Sequence, residues 1–216
     1  MKISTIAAVI PVLLLASCGG PKALELPADP LDRAATCGIV AAAEARTAST
    51  DIKAPLPLAA QGRILHYALL AASEGGEFRS ESANSVSQRM GQLQAKVTEG
   101  KWQDLGPACR SAYPVAASGE AKLPEARLDA QLACNELTDF VATALESQEA
   151  TGYGNELSAY RHLAARLNDD IAPGLRRRAG SGREAQQKVR REVLAEAAQL
   201  GSPVAVIGQC LKRFGE

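Results

Sequence analysis

Apolar positions along residues 29–216 recur at intervals of three and four rather than two, so the chain reads as a series of amphipathic helices. Asp29 before Pro30 supplies an N-cap and a first helical residue, and a helix is predicted to about residue 48. A second follows Pro55 and Pro57, with Leu58, Leu65, Ala68 and Ala72 on one face and Gly75-Gly76 as its stop. Val86, Met90, Leu93 and Val97 line a third that ends at Gly100. Trp102, Leu105, Cys109 and Tyr113 suggest a shorter fourth, kinked or restarted by Pro107.

The second half repeats the scheme. Pro124 is expected to open a long helix carrying Cys134, Leu137, Val141 and Leu145, closed by the turn Thr151-Gly152-Tyr153-Gly154. Asn155 would cap the next, whose seam of Leu157, Tyr160, Ala164, Leu167 and Ile171 runs up to Pro173. Ser181 and Glu184 have capping-box spacing before Val189, Val193 and Leu200, and Gly201 stops that helix. Ser202-Pro203 starts the last, with Val206, Ile207, Cys210, Leu211 and Phe214 on one side. The expected fold is therefore all-α, with eight helices in two four-helix modules. These span residues 31–113 and 124–216, with residues 114–123 as the linker.

Composition narrows the function classes. The 216 residues hold 24 Lys plus Arg and 24 Asp plus Glu, 46% hydrophobic residues and 4% aromatics. The zero net charge gives no support to a nucleic-acid binder, and the apolar content is too high for a disordered chain. Two histidines and few aromatics leave little material for a catalytic site or a cofactor cage, and no cofactor is expected.

The leader carries the most specific signal. Met1-Lys2 precedes an apolar stretch from Ile3 to Ala16, and then comes Leu15-Ala16-Ser17-Cys18. That tetrapeptide resembles the lipobox of bacterial lipoproteins. The resemblance implies that residues 1–17 are a signal peptide, that the Cys18 thiol is diacylated, and that cleavage precedes Cys18. Two or three acyl chains anchor a protein firmly, whereas one holds only marginally. Gly19 rather than Asp after the lipidated cysteine implies the outer membrane, with the body facing the periplasm. Residues 18–30 read as a flexible tether of Gly, Pro and small residues.

With Cys18 assigned to lipid, four cysteines remain, an even number in an exported chain, and they imply disulfides rather than a metal site. An internal repeat selects among the three pairings. An offset of 97 takes Leu31, Asp32, Cys37 and Ala45 onto Leu128, Asp129, Cys134 and Ala142. An offset of 101 takes Arg89, Leu93, Gly100, Cys109 and Tyr113 onto Arg190, Leu194, Gly201, Cys210 and Phe214. Each module would then close its own bridge, Cys37–Cys109 and Cys134–Cys210.

Candidate chemistry is sparse. His66 and His162 fall on the second helix of each module. Neither has a Cys or carboxylate four residues on, so a surface or boundary position is expected rather than a metal site. Asp169-Asp170 read as a solvated helix end, and Thr50-Asp51-Ile52-Lys53 as a chance match to a Ser/Thr-Lys pair. From Arg161 to Arg191 nine basic residues face three acidic ones. Among them Arg176, Arg177 and Arg178 are expected in a loop, with Arg183 nearby, as a contact for anionic lipid or an acidic surface.

These features point to a non-enzymatic, membrane-anchored scaffold or interaction module with an envelope protein partner. It would capture a partner helix in an apolar groove. In architecture it resembles secretin pilotins. A carrier of a lipid-like ligand within one bundle is the alternative.

Overall fold

A computed structural model of the chain describes residues 24–51, 53–147 and 152–215. The lipobox, Cys18 and Thr151 lie outside the described residues. The described fold is all-α, as the periodicity predicts, and it is built in two runs that repeat one scheme.

In the first run α1 spans Pro30–Thr47, α2 Leu58–Ala72 and α3 Ser80–Thr98. A 3-10 turn at Trp102–Leu105 leads into α4, Gly106–Ala112, so Pro107 restarts the helix as expected. Asp29 caps α1 by accepting the Asp32 amide at 2.9 Å. After a short α5, Pro114–Ala117, come α6 (Arg127–Ser147), α7 (Gly154–Ala179), α8 (Arg183–Ala197) and α9 (Pro203–Phe214). In each run the first helix lies along the second and third, and a disulfide ties it to the closing helix. The bridges are Cys37–Cys109 and Cys134–Cys210, with Cα separations of 5.4 and 5.7 Å.

The likeness of the two runs extends to side chains. Tyr113 donates to the Pro30 carbonyl at 3.4 Å, and Phe214 lies beneath Arg127, so each closing aromatic covers the start of its first helix. Leu24, ahead of α1, fills the space over Gly100, where an added Cβ would stand 2.6 Å from its side chain. Ala121, ahead of α6 and 97 positions after Leu24, lies against Gly201 at the matching place but through its backbone, as an isolated antiparallel bridge. Gly201 needs its φ of 126°, and a Cβ there would strike the Glu120 carbonyl.

The two runs share one hydrophobic core. Its axis is α2, in which Gly62 and every residue from Ile64 to Ala72 are buried, between α1 and α3 on one side and α9 on the other. Gly62 lets Val204 of α9 approach where a Cβ would collide with it. Residues 114–123, expected as a linker, are built into this junction. Ala121 bridges Gly201, Lys122 N donates to the Leu200 carbonyl at 3.0 Å, and the Gln209 side chain donates to the Ala121 carbonyl.

Four local expectations are corrected. The helix predicted from Pro124 begins at Arg127, because the Pro124 and Glu125 carbonyls turn outward to accept from Arg213 at 3.0 and 3.2 Å. Asn155 lies inside α7, which starts at Gly154 behind Tyr153, and Pro173 does not end that helix. The carbonyl that Pro173 leaves unpaired belongs to Asp169 on the exposed side, while Ile171 and Leu175 stay buried and keep the helix going. No Ser181 capping box forms, since Gly182 holds the cap position. The tether is also shorter than expected: Leu24 and Leu26 pack against the core.

Candidate interaction surfaces

Apolar openings lie where helices from different parts of the chain diverge. At the seam between the two runs, Leu65 and Ala68 of α2, Phe140 and Ala144 of α6 and Leu194 of α8 floor a cleft of about 370 Å³. Phe78 closes one end, meeting Phe140 edge to face with ring centroids 5.5 Å apart. The loop that presents Phe78 is held from both sides. Its amide donates to the Arg191 carbonyl at 3.1 Å, Arg79 N donates to the Ala72 carbonyl at 3.0 Å, and the Arg191 guanidinium pairs with Glu77.

The cleft's acidic rim is already neutralised. Burial raises the pKa of Glu136, which pairs with Arg190, and Asp139 is bound by Arg161 at 2.8 Å. Its recognition chemistry is therefore an apolar floor bordered by the hydroxyls of Ser80, Ser87, Thr143 and Ser147. An amphipathic helix or an acyl chain would fit such a lining.

A second cleft of about 570 Å³ opens at the far end of the first run. Ile39 of α1, Leu56, Ile64 of α2, Met90 of α3 and Trp102 form its apolar part. Leu56 also accepts a hydrogen bond from Tyr153 Oη through its carbonyl, so the start of α7 borders this end. A third, of about 470 Å³, lies between Leu70, Tyr113, Val115 and Ala195.

No family model matches the chain, and neither the curated proteins nor the solved structures show a significant likeness to it. The reading of function therefore rests on residues and geometry.

The basic run from Arg161 to Arg191 is not one surface. Arg161 binds Asp139 and Glu146, Arg190 binds Glu136 and Arg191 binds Glu77, so these three brace the fold, while Lys188 pairs with Glu192 one turn along α8. Arg176, Arg177 and Arg178 lie in the last turn of α7, not in a loop, where cations meet the negative end of the helix dipole. Arg178 pairs with Asp129 at 3.0 Å. Arg176, Arg177 and Arg183 are exposed, with no ion pair among the described residues. The fold adds what the sequence run did not suggest. The end of α9 carries Lys212 and Arg213 to the start of α6, beside Arg127, and Arg178 reaches that same start through Asp129. The two helix ends assemble a basic tip from segments far apart in sequence.

His66 departs from expectation. It is fully buried in α2 and its Nε2–H donates to the Ala198 carbonyl at 2.7 Å, tying α2 to the end of α8. Nδ1 has no partner among the described residues, and burial pushes the pKa down to about 4. The neutral ring is thus a strut between the two runs. The unbroken apolar context of Ile64-Leu65-His66-Tyr67-Ala68 was the signal for burial. His162 is exposed on α7. Asp169 and Asp170 are exposed as expected, and Asp170 accepts from Gln131 at 3.1 Å. Among the described residues no group of three or more His, Cys, Asp or Glu gathers as a metal site.

Proposed function

We propose that this chain is a lipid-anchored protein of the bacterial envelope, held by Cys18 at the outer membrane and facing the periplasm. Its helical body acts by binding another envelope protein. The lipobox supports the anchor, and export agrees with the two disulfides. The observation that carries the binding role is the seam cleft, whose apolar floor is drawn from α2, α6 and α8 and whose rim charges are neutralised internally. Such a cleft favours an amphipathic partner helix, a pilotin-like or accessory role within a larger complex. The unpaired Arg176, Arg177 and Arg183 supply a separate contact for an acidic surface.

A photo-crosslinking residue in place of Phe140, used in intact cells, tests the reading. A defined polypeptide adduct that disappears with Ala144→Arg supports a protein partner. A co-purified lipid adduct supports the carrier alternative instead. Labelling no stronger than from the exposed Gln187 position overturns both.

A further inference from the structure

The segment ahead of α1 determines where the anchor must lie. The Leu24 side chain is seated over Gly100, and its repeat counterpart Ala121 lies against Gly201 through the backbone, so in both runs the chain ahead of the first helix is held at the glycine after the third. Cys18 lies six positions before Leu24, a span of at most about 22 Å when extended and ~13 Å as a flexible chain. A lipid carried on Cys18 would then lie within that reach of Gly100.

What lies beside Gly100 suits a bilayer. Trp102 follows two residues later, half-buried at the edge of the cleft that Ile39, Leu56, Ile64 and Met90 floor, with Lys101 exposed next to it. A Trp with one apolar side and an N–H settles at the boundary between acyl chains and headgroups. A neighbouring Lys lays its stem along the apolar surface and keeps its charge in the headgroup layer. The cleft's polar border of Thr47, Gln94 and Thr98 matches that layer.

The basic tip lies at the opposite end of the molecule. Tyr153, at the start of α7, is bonded to Leu56 of this cleft, whereas Arg176, Arg177 and Arg178 lie in the last turn of the same 26-residue helix, ~36 Å away.

Resting on the lipoprotein reading above, we propose that the Trp102 cleft is the membrane-facing side, set on the surface of the phospholipid bilayer that holds the Cys18 lipid. The arginine tip of α7 is directed away from that bilayer. The partner of the arginines is then an acidic surface elsewhere in the envelope and not the phosphates of the anchoring leaflet.

Trp102 is the sole tryptophan of the chain, so it reports its own depth. The acylated protein, purified in detergent, is reconstituted into phosphatidylcholine vesicles containing phosphatidylglycerol and a lipid spin-labelled near the headgroup. Strong quenching of Trp102, with none in the double variant Trp102→Phe/Arg177→Trp, is expected. Vesicle-bound, acylated protein with Trp102 unquenched, or with both positions quenched alike, overturns the orientation and leaves the anchor standing. Mass spectrometry of the Cys18 peptide is the separate readout: an unacylated, vesicle-free protein removes the lipoprotein reading and the orientation together.

Discussion

The second helices of the two runs occupy matching places and are used in opposite ways. In α2 the only charged residue is Arg63, and the helix is buried nearly all round. In α7 eight of 26 residues are charged, and one side faces solvent along its whole length. The scheme of each run is fixed by what is common: a first helix carrying the cysteine, a closing helix carrying its partner, and a leading segment seated on the glycine after the third helix. What is not common is the environment. Packing the runs together encloses α2 and leaves α7 outside, so one became the axis of a shared core and the other a bearer of exposed charge.

The largest expected effect breaks this contrast directly. Ala71→Glu places an unpaired charge in the middle of the core and should prevent folding, whereas Ala165→Glu on the exposed side of α7 should leave the circular dichroism melt unchanged. Next come the staples. Replacing either cysteine pair by alanine releases a loop of 72 or 76 residues and should cost about 4 kcal/mol in the chain-entropy picture. Because the core is shared, either loss should lower one common unfolding transition in urea.

The buried His66 makes stability depend on pH. The folded His66 pKa of about 4 lies below the unfolded value of 6.5, so the unfolded chain binds the extra proton between them. Stability is therefore full above pH 6.5 and falls as the pH drops towards 4, by about 3 kcal/mol in all. Urea titrations of His66→Leu should lose that slope, and those of His162→Leu should keep it. The repeat-related arginines differ less. Arg190→Met strands the half-buried Glu136 and should cost ~2 kcal/mol. Arg89→Met releases the exposed Asp29 and the partly exposed Asp32, both still in reach of water, and should move the midpoint less. Smallest of all, Arg176→Ala with Arg177→Ala should leave stability unaltered.

The parts legible in the sequence are those set by local chemistry. The Asp29-Pro30 cap formed, and the stripe of Val86, Met90, Leu93 and Val97 faces the core. The paired offsets of 97 and 101 selected the disulfides that are found. The parts missed are those decided by contacts distant in sequence. Arg213 delays the start of α6, and buried Ile171 and Leu175 carry α7 through Pro173. Leu24 converts half of an expected tether into packed structure. For the candidate surfaces, the run of arginines was visible, but not that acids of α6 and the Phe78 loop absorb several of them. Nor could spacing show that the ends of α7 and α9 both reach the start of α6.

Native-state hydrogen exchange across a urea series tests the central claim that both runs form one cooperative unit about α2. Amides of α2, α6 and α9 should share a single opening free energy equal to that of global unfolding. Protection persisting in α6 and α9 at urea concentrations where α2 has lost its own would contradict the account.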